Sequence, residues 1–132
     1  MKDISTIQAL LDGIRGGWQR ERADTQMTLG KMISRLKEMH SIARVEGLEE
    51  PHSYRGYYED LAFQPTGGFM RVGELLDLCS SAMGKAYEGY KGGTYVMGEH
   101  TPVWVAYYGH TGKRIIAINS DDGSIETANE EE

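Results

Sequence analysis

Apolar residues recur at helical spacing in three stretches of this chain and follow strand-like patterns between and after them. The first helical stretch is Ile4, Ile7, Leu10, Leu11, Ile14 and Trp18, with Asp3 or Ser5 placed to cap it and Gly13, Gly16 and Gly17 loosening its end. Residues 19–26 (QRERADTQ) are polar and read as a linker or an exposed helical turn. Thr28 then precedes Leu29, Met32, Ile33, Leu36 and Met39 on one face, which predicts a second helix whose methionines fill core gaps. A third helix is predicted from near Arg71, burying Val72, Leu75, Leu76, Cys79 and Met83 and ending at Gly84.

The strand-like runs are shorter. Residues 42–46 alternate, and Pro51-His52 breaks that pattern. Tyr58 to Phe63 predicts a strand stopped by Pro65-Thr66-Gly67-Gly68. Residues 103–108 and 113–119 flank Gly109-His110-Thr111-Gly112, a hairpin signal. Symmetric closure would set Tyr107 opposite Arg114, Val105 opposite Ile116 and Val103 opposite Ile118. The pattern as a whole predicts an α+β fold, two to three helices packed on a small antiparallel β-sheet. Residues 1–118 form one domain in this reading, with residues 1–27 as an N-terminal helix and linker that could serve as an oligomerisation arm.

Charge refines this division. The net charge is −6, yet all 14 basic residues precede residue 115, and residues 1–118 carry 14 acidic ones, so the body is formally neutral. The excess lies in Asp121, Asp122, Glu126, Glu130, Glu131 and Glu132, which predicts a disordered acidic tail over residues 119–132. A polyanion needs a basic face with many phosphate contacts, so DNA and RNA are disfavoured as partners. A small phosphorylated ligand fits better. A single cysteine, no apolar run of membrane length and an N-terminus unlike a signal peptide predict a cytoplasmic protein without a membrane partner.

Candidate chemistry concentrates in the second half. All eight tyrosines lie between residues 54 and 108, interleaved with Arg55, Lys85, Lys91 and glycines, and Arg114 follows. Rings stack on a base, cations pair with phosphate, and glycines admit close backbone approach. Tyrosine also has high β-propensity, so a strand role competes at each position. Arg114 could be an edge cation or a clamp held flat against Tyr107, and the sequence leaves both open. His40, His52, His100 and His110 share no metal-ligand spacing, and no metal or cofactor is expected. Glu59-Asp60, adjacent in an expected strand, would point to opposite faces and could not work as an acid–base pair. Ser80-Ser81 lacks a nucleophile-elbow context, and Gly89-Tyr90-Lys91-Gly92-Gly93 lacks P-loop spacing. No catalytic constellation assembles, which favours a binder over an enzyme.

Several segments, taken in order, resemble the phage-encoded Thoeris anti-defence proteins, specifically the cyclic-nucleotide sponges of the first type. They are Thr28-Leu29-Gly30-Lys31, residues 53–63 (SYRGYYEDLAF) with Pro65, Val72-Gly73-Glu74-Leu75-Leu76, Gly89-Tyr90-Lys91-Gly92-Gly93, residues 101–106 (TPVWVA), Tyr108-Gly109 and Gly112. The resemblance spans residues 28–118. It implies sequestration, without cleavage, of a cyclic ADP-ribose isomer made by a bacterial TIR-domain protein, in the cytoplasm of the infected host. It further implies a ligand held between subunits of a homo-oligomer, dimeric or hexameric, and cyclic trinucleotides at additional sites in some members. By the same resemblance, Tyr87 and Arg114 flank the adenine. Lys91 and Arg55 are candidates for the pyrophosphate, and Tyr107 and Tyr54 for an aromatic wall. Met97 stands where the family would present a polar contact. On this reading Arg114→Ala abolishes capture and leaves the fold intact.

Overall fold

The structure is a computed structural model and describes residues 26–129. The first predicted helix therefore lies outside the described residues. Helix α1 (Leu29–Glu38) begins where expected: Thr28 Oγ1 accepts the Lys31 N–H at 3.2 Å, and Leu29, Met32 and Leu36 are buried. Its first-turn donors are also used by a neighbouring loop, with Leu29 N–H to Thr101 O at 2.7 Å and Gly30 N–H to Glu99 O at 2.9 Å. Helix α2 (Val72–Ala82) starts as Glu74 reaches back to accept the Arg71 N–H at 3.0 Å. It buries Val72, Leu75, Cys79 and Ala82, while Met83 is exposed.

The strands are β1 (Arg44–Ser53), β2 (Leu61–Arg71), β3 (Ala86–Glu88), β4 (Thr94–Val96), β5 (Val103–Val105), β6 (Lys113–Ile118) and β7 (Ile125–Ala128). Five of them form a sheet in the order β1-β2-β5-β6-β7, and β3 with β4 makes a separate two-stranded ribbon. The α+β class holds, but the main sheet is mixed. β2 and β5 run parallel because α2 and the β3–β4 ribbon lie between them in sequence, a crossover long enough to return the chain in the same direction. One hydrophobic cluster joins α1 and α2 to the sheet through Val45, Leu61, Phe63, Val103 and Ile115. A smaller one gathers Tyr54, Ala62, Trp104 and Ala106.

Four further expectations are corrected. Pro51 and Pro65 do not end their strands. β1 is an edge strand, and β5 pairs only with residues 61–63 of β2, so Pro65 sits beyond the point where β2 must donate on that side. Thr66-Gly67-Gly68 is absorbed as an irregularity opposite Gly47, with Gly67 at φ 82°. Glu59 and Asp60 lie in the turn before β2, not within a strand. The hairpin register is also different, with Trp104 opposite Arg114 and Val105 opposite Lys113. β5 ends at Val105, Ala106 N–H still bonds Phe63 O at 3.0 Å, and residues 106–112 form a longer loop than expected.

Residues 119–129 are ordered. Ile125 is buried opposite Ile118, and the turn is closed by Asn119 N–H to Ser124 O and Gly123 N–H to Asn119 O, both 2.9 Å. Gly123 N-terminal to β7 sits at φ 76°, a region that favours glycine, and its carbonyl accepts Glu46 N–H at 2.8 Å. The β6–β7 turn thus reaches back to β1, so the two outer edges of the sheet approach each other there. Gln26, assigned to a polar linker, is buried and donates from Nε2 to Val103 O at 2.7 Å. Beside it, Met27 bridges β5 and β6 through Val103 N–H and Ile115 O.

Candidate functional site

Three connections come together in space: residues 54–60, the β3–β4 turn at 89–93, and residues 106–112, which meet through Arg55–Tyr90, Tyr90–Tyr108 and Tyr54–Gly112. The first is a closed loop, held by Tyr54 N–H to Asp60 O (2.9 Å), Asp60 N–H to Tyr57 O (2.9 Å) and Ser53 Oγ to Tyr58 O (2.6 Å). Tyr54 turns inward and stacks on Trp104 with ring centroids 3.9 Å apart and planes 10° from parallel. Gly56 makes room for it, since a Cβ there would meet Tyr54 Cε2 at 2.7 Å. Asp60 is buried beneath the loop and accepts from Trp104 Nε1 at 2.8 Å, which satisfies the one polar atom of the indole. Tyr57 lies over this pair, 6.3 Å from Tyr54 and 5.9 Å from Trp104, and is 41% exposed.

Two ring tracks extend from that centre. On one side Tyr58 meets Tyr95 edge-on at 5.9 Å, and Tyr95 is the cross-strand partner of Tyr87, over which Lys85 Nζ sits at 5.3 Å. On the other, Arg55 lies 5.2 Å from the Tyr90 ring, Tyr90 meets Tyr108 at 5.8 Å, and Tyr108 meets His52 at 5.4 Å. His52 ties residues 106–112 to the end of β1, its ring nitrogens lying 3.0 Å from Ser53 O and 2.9 Å from Ala106 O. A cleft of about 380 Å³ opens along the 54–60 loop, lined by Arg55, Gly56, Tyr57, Tyr58, Glu59, Asp60 and Tyr95. It adjoins a hollow of about 430 Å³ that shares Glu59, Asp60 and Tyr95 and runs on along β4 to Thr101 and Pro102. Exposed rings, a guanidinium and a carboxylate at one opening can stack a base, pair with phosphate and accept from a sugar hydroxyl.

The residues singled out from sequence divide sharply. Arg55, Lys91 and Tyr107 are exposed on these three connections. Tyr87 is half-buried on β3, and burial pushes its phenol above the ordinary tyrosine range. Arg114 is buried on β6, opposite Trp104 and Ala128, with Nε donating to Asn129 O at 3.1 Å. Tyr107 is thus not its cross-strand neighbour. Tyr54 is fully buried and Met97 is 1% exposed in the main cluster, so neither offers surface to a ligand in the single chain. Trp104, Tyr57, Tyr58, Tyr90, Tyr95 and Tyr108 have no individual ligand role in the sequence reading, although the crowding of tyrosines points to their region. Cys79 matches its expected core role: burial pushes its thiol up to about 12. Among the described residues, no group of three or more His, Cys, Asp or Glu side chains is placed to share a metal ion. No described helix is long and apolar enough to cross a membrane.

Comparison with protein-family models, curated proteins and solved structures gives no match to this chain.

Proposed function

We propose that this chain is a phage anti-defence sponge of the Thoeris type, which binds a cyclic ADP-ribose isomer intact and withholds it from the host's TIR-dependent immune pathway. The observation that carries this reading is the convergence of residues 53–60, 89–95 and 107–112, the segments richest in the sponge-like motifs, on one cation-bearing aromatic surface. A ring-bounded cleft suits a purine, and Arg55 with Lys91 suits a pyrophosphate. Each stacked base contributes about 1–3 kcal/mol, and each charge-assisted phosphate bond adds roughly 1.5–3 kcal/mol. Three or four such contacts reach submicromolar affinity after ordering costs.

The ligand sits between subunits of a homo-oligomer, a dimer or a hexamer, in the host cytoplasm. That geometry accounts for the assignment of both Tyr87 and Arg114, which stand on different sheets of one chain. Cyclic trinucleotides are candidates for further sites. Isothermal titration of the purified protein with the cyclic ADP-ribose isomer tests the surface through Arg55→Ala. Its affinity should fall more than tenfold, as expected for about 1.5 kcal/mol or more of lost phosphate pairing. Unchanged affinity in the folded variant would remove Arg55 from the site.

A further inference from the structure

We infer that Tyr54 is a positioning residue that fixes two walls of the ligand surface relative to each other without touching the ligand. This rests on the capture reading above. Tyr54 belongs to the first wall by its backbone, whose N–H is held by Asp60 O at 2.9 Å. It belongs to the second through its hydroxyl, which accepts the Gly112 N–H at 3.0 Å, a contact 58 residues away in sequence. Between these two anchors its ring is clamped, with Trp104 stacked on one face and Gly56 crowded against its edge. Trp104 is itself fixed to the first loop through Asp60. A shift of either loop must therefore move or break the Tyr54 contacts to the other.

The consequence concerns residence of the ligand. The 54–60 loop carries Arg55 and Tyr57, and the 106–112 loop carries Tyr107 and Tyr108, all exposed. Side chains contributed by two separate loops hold a ligand well only if the loops keep a fixed spacing, since ordering them on binding costs affinity. Tyr54 provides that spacing before the ligand arrives. The tyrosine that resembled a wall residue acts from beneath the wall.

Two variants test this. Tyr54→Phe keeps the stack and removes only the hydroxyl. Gly56→Ala presses on Tyr54 from the first loop and leaves the hydroxyl in place. Amide hydrogen exchange of both, without ligand, should show faster exchange at Gly112 and across residues 106–112. In the folded Tyr54→Phe protein, dissociation of the cyclic ADP-ribose isomer should accelerate about two- to tenfold, the range set by one net hydrogen bond. A purely structural tyrosine would lower the melting temperature and leave the dissociation rate of the folded protein unchanged. Wild-type exchange at Gly112 in both variants would overturn the coupling. Faster exchange with an unaltered dissociation rate would overturn the positioning role. If the wild-type protein captures no ligand, the sponge reading fails, and the exchange data alone still decide whether Tyr54 couples the loops.

Discussion

Arg114 and Arg55 show how the same residue type serves different ends. Arg114 is 5% exposed and its Nε–H answers the Asn129 carbonyl, so Arg114→Ala removes a buried donor as well as any ligand contact. Thermal melting should show Arg114→Ala folded but less stable by about 1–3 kcal/mol. Arg55→Ala, at an exposed position, should melt within about 0.5 kcal/mol of wild type. Cys79 gives a separate test in the core. Its thiol rises from an ordinary 9.0 to about 12 on burial, so the folded state holds the proton more tightly than the unfolded state. That contribution to stability is complete below pH 9 and lost as the pH rises towards 12. Denaturant titrations at alkaline pH should show this loss in wild type, with Cys79→Ala lacking that component.

At the level of elements, local signals proved reliable where one segment determines its own conformation. Thr28, the 3.6-residue spacing of Leu29, Met32 and Leu36, and the Val72, Leu75, Cys79 stripe all specify helices without reference to the rest of the chain. Strand limits depended on neighbours that no local pattern reveals. Pro65 lies past the residues of β2 that pair with β5, and the β5–β6 pairing sets Trp104 opposite Arg114. The acidic tail misled for a similar reason, because one buried side chain, Ile125, and one turn glycine outweigh the surrounding charge. The candidate site was legible as a region and not as a residue set: a run of tyrosines marks the surface, but only packing decides that Tyr54 faces in and Tyr57 out. Truncation after residue 118 tests the corrected tail. It removes β7 and should lower stability by about 2 kcal/mol or more, the scale of one buried aliphatic side chain with its ladder. A disordered tail would leave the melting temperature unchanged.

For the whole molecule, the tyrosine-bearing connections come together in space, while the helices pack against the sheet through the main cluster. That division leaves an exposed surface of Tyr57, Tyr90, Tyr107 and Tyr108, each between 41% and 58% exposed. Exposed aromatics of this kind are also enriched at subunit contacts. A homo-oligomer that holds a ligand at such a contact should give a mass by light scattering of two or more chains at micromolar concentration. A monomer with full ligand capture would place the whole site within one chain. The central claim, capture without turnover, is tested most directly by incubating the protein with excess TIR-derived cyclic ADP-ribose isomer, removing free ligand by filtration, denaturing the protein with heat and identifying what is released by mass spectrometry. The sponge account predicts the intact isomer in a fixed ratio to protein. Altered product in excess of that ratio would make the protein an enzyme, and no depletion would leave an oligomeric interaction protein; either result contradicts it.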